Sequence, residues 1–486
     1  MPEKGLQVAV VGGGICGLAA AHRIRELHPD WNLTLLEASD RVGGILRTEK
    51  HDGYLIEHSA DMFTTREPWA LALCQRLGIE SELIGTNEAL RRAFVVRNGK
   101  LYRIPEGFTL LAPKKLGAIL KSPLLSMHGK ARLMMEYFIA PRTVREDECF
   151  SNFAIRRFGK ETFERLLQPL VAGIYTADPD LLSMDACLSE YAEMERAHGG
   201  VLRAIQAQRK RTKATVQSDS GARYGSFLTP RDGMERIVQR LTEEIGHNRI
   251  RLRWPAEELH AQPDGKWKIR KRGEEDVAIF DAVILAATAK QSAALLSEIS
   301  AHSAEELGAI EHAGASIVVA GYKKSDLGHK LDGFGYVSPR VEKRRVLAGS
   351  FASVKFAGRA PVDQVLLRFF VGGALQPQMI DVDDRELVEI VRDEIRELLR
   401  ASGEAIFTKV IRWRGRMPQY HVGHLARVHR IEAGIAKLPR LELACNALRG
   451  VGIPFCIRAG ELAAERLSEK MKSIGDDFEF TPRKPR

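Results

Sequence analysis

Near its amino terminus the chain reads Leu6-Gln7-Val8-Ala9-Val10-Val11-Gly12-Gly13-Gly14-Ile15-Cys16-Gly17. The apolar, valine-rich run fits a parallel strand covered on both faces. The glycines keep the GxGxxG spacing and open an apolar-periodic helix predicted over Ile15–Leu27. That spacing has a mechanical basis. Gly12 permits the tight turn, Gly14 lets backbone approach a pyrophosphate, and Gly17 lets the helix pack closely on the strand. The pyrophosphate then rests on N–H groups at the helix N-terminus, where the dipole favours negative charge. A second strand, Leu33–Leu36, ends in Glu37, twenty residues after Gly17. A carboxylate there would accept hydrogen bonds from a ribose diol and would repel the extra phosphate of NADP. Strand, loop, helix, strand and acid agree, which sets dinucleotide binding well above an ordinary glycine turn.

The chain continues Glu37-Ala38-Ser39-Asp40-Arg41-Val42-Gly43-Gly44. A second glycine pair beside an arginine suits a cofactor whose diphosphate and ribityl chain run further along the protein. This continuation resembles the FAD-binding amine oxidase and porphyrinogen oxidase superfamily, and FAD is expected over NAD.

Composition narrows the class. The 486 residues are 44% apolar, enough for a substantial core and against a disordered or fibrous chain. No run approaches the 18 or more uninterrupted apolar residues of a membrane-spanning helix. Lys plus Arg is 73 against 63 for Asp plus Glu, a net +10 that suits an anionic ligand or surface but equally a solvated one. Six scattered cysteines form no CxxC pair, so neither a disulfide framework nor a zinc site is expected. The strand from Leu6 leaves no room for a removable signal segment, and a cytoplasmic setting is the expectation.

Further along, short helical patterns such as Phe150–Phe158 and Glu161–Leu170 fill residues 76–221. Within them, residues 91–145 carry twelve Lys or Arg against Glu106 and Glu136. These are interleaved with Phe108, Leu110, Leu111, Leu116, Ile119, Leu120, Leu124 and Leu125. That pattern reads either as a basic-apolar surface for lipid headgroups or an anionic amphiphile, or as an ordinary helical lobe. No nucleic-acid motif or stacking platform is visible, so no nucleic acid is expected. A polar, basic connection is expected at 208–223. A helix then opens at Arg231-Asp232-Gly233-Met234, and Ala278–Ala287 reads as another buried parallel strand. Residues 316–322, 346–351 and 365–371 read as strands of a separate sheet, followed by a helix over Asp384–Leu399. The last informative block is Gly450-Val451-Gly452-Ile453-Pro454, where glycines and a first-turn proline announce a helix through about Leu467. Its N-terminus would favour the negative charge that a flavin gathers on reduction.

Taken in order, Gln168–Asp178, Gly333-Phe334-Gly335, Phe369–Gly373, Trp413, Pro418–His424 and Gly450–Pro454 resemble the oxygen-dependent protoporphyrinogen/coproporphyrinogen oxidase family of haem biosynthesis. The resemblance spans nearly the whole chain. It implies an α/β plus α+β protein with a Rossmann-type discontinuous FAD-binding domain (1–75, 222–300 and 406–486), a helical lobe (76–221) and a sheet-based substrate domain (301–405). FAD would be held by Gly12, Gly14, Gly17, Glu37, Arg41, Gly43, Gly44, Ser59, Trp413, Gly452 and Ile453. The loop around Gly173, with Phe334 and Phe370, would receive a tetrapyrrole, and Arg92 a propionate. Two positions depart from the family pattern: Phe455 stands in place of an aspartate, and Glu57–Asp61 replaces a commoner Gly-Pro segment.

The implied activity is a six-electron oxidation of a porphyrinogen to a porphyrin. Hydride goes to flavin N5 without a catalytic side chain or a metal, and O2 is converted to hydrogen peroxide. Coproporphyrinogen III is expected ahead of protoporphyrinogen IX. A flavin amine oxidase or desaturase, and a non-catalytic binding protein of the same fold, stay open as alternatives. His58 and His424 read as structural hydrogen-bonders. Peripheral membrane contact through 91–145 and handover of product to a chelatase complete the expectations.

Overall fold

The computed structural model describes residues 5–113, 115–215 and 227–476. The connection expected at 208–223 lies, from residue 216 onward, outside the described residues.

Five parallel strands form the cofactor-side sheet, in the spatial order Ile250–Arg251, Asn32–Leu36, Gln7–Val11, Ala282–Leu285, Leu441–Leu443. The continuous apolar runs are explained by cover on both faces. Val8, Val10, Leu33, Leu35 and Ile284 enter a core with the helices Ile15–Leu27, Glu235–Ile245 and Ile453–Asp476. Ala9, Val11, Leu36, Val283 and Leu285 enter a second core with Trp254, Trp267, Ile431 and Ile435. The single strand expected over Ala278–Ala287 is two: Val277–Phe280 belongs to a three-stranded antiparallel sheet, and only Ala282–Leu285 joins the parallel one. The C-terminal helix runs to Asp476, past the expected end at Leu467.

A seven-stranded sheet faces this unit. Its order is Phe407–Pro418, His312–Lys323, Gln364–Gly372, Val346–Phe351, Gly335–Val337, Phe94–Arg97, Lys100–Arg103, antiparallel except between Gly335–Val337 and Phe94–Arg97. The sheet therefore reaches past the expected 301–405 at both ends. It recruits 94–103 from the segment read as the helical lobe and 407–418 from the segment read as cofactor domain. Such pairing is set by long-range register, which a local pattern does not carry. Alternation along Gln364–Gly372 sends Val365, Leu367, Phe369 and Val371 towards the helix Asp384–Leu399. Leu366 and Phe370 face the other way, with Ile317, Val319, Ile411 and Trp413.

Helices between Met127 and Thr215 build the lobe around Phe150, Phe153, Phe158, Leu166 and Leu167. Leu111, Ile119, Leu124 and Leu125 lie inside this core. Four of the apolar side chains read as a basic-apolar surface are thus interior, Phe108 and Leu110 pack against them, and among the described side chains Leu120 is exposed. The exposed ones are instead Met127, Met135, Tyr137, Phe138 and Val144. Among the described residues no helix is long and apolar enough to cross a membrane.

Candidate cofactor and substrate site

The two glycine turns form one cradle. Gly13 O accepts from Gly43 N at 2.7 Å. A Cβ on Gly44 would stand 3.3 Å from the Gly14 Cα, whereas a Cβ on Gly14 would meet nothing within 4 Å. Gly14 is the N-cap of Ile15–Leu27, no side chain caps that helix, and no acid lies in its first turn. The N-terminus is thus left open to an anion, floored by glycine backbone, as a diphosphate requires. Gly17 packs so closely that an added Cβ would fall 1.8 Å from Gly12 O. Behind the cradle, Arg41 donates to Gly44 O at 2.8 Å and Leu46 O at 2.5 Å. Its guanidinium therefore braces the second turn through backbone carbonyls.

Glu37 stands beside the first turn. Its Oε2 accepts from Gly13 N at 2.7 Å, and its Oε1 accepts from Ser39 N at 2.8 Å and Ser39 Oγ at 2.7 Å. The Ser39 hydroxyl has a second acceptor in Arg41 O at 2.6 Å, so it can yield its place to a ribose hydroxyl.

The C-terminal turn is tied in by Tyr420. Its hydroxyl donates to Asn446 O and accepts from Gly450 N at 2.8 Å. The Tyr420 ring stacks on buried His424 at 4.1 Å, and His424 Nε2 donates to Leu448 O at 2.9 Å. Burial holds this imidazole below its usual pKa, consistent with the structural role read for it. Gly452 and Ile453 open the helix Ile453–Asp476, whose first-turn Cys456 thiol donates to Val451 O at 3.6 Å and shares a core with Cys16 in the first turn of Ile15–Leu27. The two helix starts are neighbours. Phe455, where an aspartate was expected, packs edge-on against Trp69 at 5.3 Å.

The segment 57–61 is pinned from the seven-stranded sheet. Trp413 Nε1 donates to His58 O at 2.6 Å, and Ser59 Oγ donates to Ile45 O at 2.7 Å beside the second glycine turn. Arg368 donates to Ser59 O. His58 itself pairs with Glu49 at 2.9 Å, which repeats its structural reading. Deep in the same segment, Glu57 accepts from Met234 N at 2.8 Å and Thr48 Oγ1 at 2.9 Å. Burial pushes its carboxyl up to about 7, against the pull of those hydrogen bonds and of Arg368 and Arg359. The folded protein therefore keeps a proton that the unfolded chain releases from about pH 4.5 upward. Stability should fall between about pH 4.5 and about pH 7, then level off, by about 3 kcal/mol from this group. Urea denaturation at pH 5 and pH 8 checks it, and Glu57→Gln should flatten that part of the difference.

On the substrate side, the structure brings some expected residues together and separates others. Gly173 lies in the helix Gln168–Tyr175, not in a loop, and ends the lobe over the sheet: a Cβ on it would touch Val337 Cγ1 at 3.5 Å. Val337 is in register with Ala348, and Ala348 with Phe370, so Gly173 and Phe370 border one row of the sheet. Phe334 and Arg92 lie further along. Phe334 N donates to Arg92 O at 2.7 Å, while Arg92 sends its guanidinium to Ala89 O at 2.8 Å and to within 3.8 Å of Asp332. Its partners are thus local ones at the outer end of the strand. The sequence reading missed Tyr420 as the tie of the last glycine turn, and it missed Asp61, Lys355 and Arg368. A buried arginine amid the apolar alternation of Val365–Val371 was the available signal for the last.

A glycine-floored cradle at one helix start, a second helix start beside it and an apolar sheet face opposite define a dinucleotide-dependent oxidoreductase. The model of the family "Flavin containing amine oxidoreductase" matches residues 15–468, and the chain belongs to that family. It is 30% identical to the coproporphyrinogen III oxidase of Bacillus subtilis (strain 168), over 95% of this chain and 98% of that protein. It is 28% identical to the chloroplastic protoporphyrinogen oxidase of Nicotiana tabacum, over 96% and 86%. A crystal structure from Exiguobacterium sp. 255-15, provisionally named a protoporphyrinogen oxidase, superposes with a TM-score of 0.84 at 26% identity over 97% and 100%. The cofactor is FAD, which the open helix start, the Glu37 carboxylate and the second glycine turn fit.

Proposed function

We propose that the chain oxidises a porphyrinogen to its porphyrin, with coproporphyrinogen III as the substrate and O2 as the final acceptor. The observation that carries this reading is the similarity to coproporphyrinogen III oxidases over nearly the full length of both chains. Bound in the cradle, FAD supplies the two-electron acceptor for each of three successive dehydrogenations. The chain's own residues do the rest. Phe370, Ile317 and Trp413 offer an apolar face that excludes water, and the exposed last turn at Gly173 closes one side of the row. The net charge of +10 favours a substrate bearing several carboxylates.

Anaerobic mixing of the purified, flavin-loaded protein with coproporphyrinogen III, protoporphyrinogen IX or a polyamine tests the reading. Coproporphyrinogen III should bleach the flavin fastest and yield coproporphyrin on readmission of air. Equal rates with protoporphyrinogen IX would remove the substrate preference, and bleaching by the polyamine alone would overturn the activity. The same proposal places peripheral membrane contact on Met127, Met135 and Phe138, 75%, 56% and 78% exposed, with Lys121 and Arg145 close in sequence. Phe138→Asp should weaken co-sedimentation with anionic vesicles several-fold, and unchanged co-sedimentation would remove this face from the proposal.

A further inference from the structure

One cluster of charges has no place in the architecture just described. Asp61 is met by two cations: Lys355 Nζ at 2.6 Å and Arg368 Nη1 at 3.2 Å. Lys355 is 6% exposed and Arg368 2%. Both sit on elements of the seven-stranded sheet domain, while Asp61 ends the segment that lines the cradle. Beyond this triad, Arg359 stands under the influence of Glu57, Asp61 and Asp232. In the triad itself two buried cations thus meet one carboxylate. Burial would disfavour an ionised Asp61, yet Lys355 and Arg368 hold its carboxyl below the ordinary range. The carboxylate is charged, and one positive charge remains uncompensated within the group.

A purely structural ion pair needs only one cation. Keeping a surplus charge out of water costs stability unless something balances it. Arg368 Nε has no hydrogen-bond partner, and neither has Oγ of Ser350, its in-register neighbour on the next strand. Arg368 is also tied directly to Ser59 O, and Ser59 to Ile45 O next to Gly44. The surplus therefore lies one hydrogen bond behind the segment that lines the cofactor cradle. In a poorly solvated interior, charge acts over longer distances and salt screens it little.

We propose that Lys355 and Arg368, clamped on Asp61 behind the Ser59 carbonyl, form a buried cationic pair that raises the reduction potential of the bound flavin. The proposal rests on the reading, implied by the family resemblance, that Ser59 is among the residues that hold FAD, and it takes the segment 57–61 to run beside the isoalloxazine. Reduction gathers negative charge on that ring, so a fixed positive charge nearby favours the reduced form over the oxidised. The substrate does not touch either cation; both act on the cofactor through position and field.

The test is the midpoint potential of the flavin in the loaded protein, titrated with a dye-mediated reductant and read by absorbance. Lys355→Met should lower the ratio of reduced to oxidised flavin at least tenfold at a given ambient potential, a shift of about 30 mV for a two-electron couple. Lys355→Arg, which keeps the charge, should stay near the parent. Asp61→Asn should move the potential in the opposite direction, because it frees both cations. A merely structural role for the cluster would make Lys355→Met and Asp61→Asn shift stability together and leave the potential in place. Potentials within twofold of the parent ratio in both variants, with full flavin content, would overturn the proposal. If Lys355→Met does not fold, Asp61→Asn alone decides by the sign of its shift. The titration uses no porphyrinogen, so failure of the substrate assignment leaves it standing, whereas a parent chain that takes up no flavin defeats both.

Discussion

Gly17→Ala is expected to give a chain that neither folds stably nor holds flavin, while Gly14→Ala folds and binds flavin more weakly. The added methyl at residue 17 would lie 1.8 Å from Gly12 O and 3.1 Å from Ala286 Cβ. Both neighbours belong to the central strands and their turn, so neither can move aside without opening the parallel sheet. A cost above about 4 kcal/mol follows, beyond the usual range of single substitutions. At residue 14 the same methyl meets nothing within 4 Å. It would instead occupy the space over the helix start where a diphosphate approaches, and flavin affinity should drop roughly tenfold to a hundredfold, about 1.4 to 2.8 kcal/mol. Thermal melting with flavin absorbance per chain reads both effects in one preparation. A Gly17→Ala protein with parental melting temperature and flavin content would refute the close-packing account.

Glu136→Ala carries the second large effect. Glu136 and Arg157 are both fully buried. Arg157 Nε donates to Glu136 Oε1 at 2.8 Å, and the same carboxylate accepts from Val201 N at 2.9 Å and Leu202 N at 3.1 Å. It thus neutralises a buried guanidinium and caps the start of the helix Val201–Thr215. Removing it leaves the buried cation with Glu195 alone, 3.3 Å away and shared with Arg156, at about 3 kcal/mol, and uncaps a helix at about 1 kcal/mol more. Hydrogen exchange should show loss of protection across the lobe helices before the parallel sheet opens. The double substitution Glu136→Met with Arg157→Met should recover part of the loss, because two apolar side chains leave no orphan charge. A single Glu136→Ala variant within about 1 kcal/mol of the parent would contradict the buried pair.

How much of this was legible from residues alone differs by region. The cradle was: strand, turn, helix, strand and Glu37 occur within the first fifty residues, and every contact among them is local. The strands that fill the parallel sheet were visible as unbroken apolar runs. The extent of the seven-stranded sheet was not, because Phe407–Pro418 alternates apolar with cationic residues and finds its partner, His312–Lys323, only in three dimensions. Which apolar side chains of 91–145 face outward could not be sorted for a related reason. The short helix Leu116–Lys121 buries one flank, so Ile119 turns inward while Leu120 faces water, and the turn after it buries Leu124. Asp61, Lys355 and Arg368 could not be associated from sequence, since about three hundred positions separate the acid from its cations. The resemblance placed Arg92 on a propionate, but it said nothing of Asp332, which lies within 3.8 Å of that guanidinium.

The close approach of the helices Ile15–Leu27 and Ile453–Asp476 has a consequence for biosynthesis. Gly460 sits so near the first helix that a methyl there would lie 2.1 Å from Cys16 O. The middle of the parallel sheet likewise waits for 282–285 and its edge for 441–443. During translation the apolar flank of the βαβ segment gains part of its cover from Glu235–Ile245, and the residues beyond 450 complete it. Until then the flank is partly open, which favours proteolysis and aggregation of the unfinished chain. The cradle's last turn, 450–453, is thus made after its other walls, so firm flavin retention is expected only once nearly the whole chain has been synthesised.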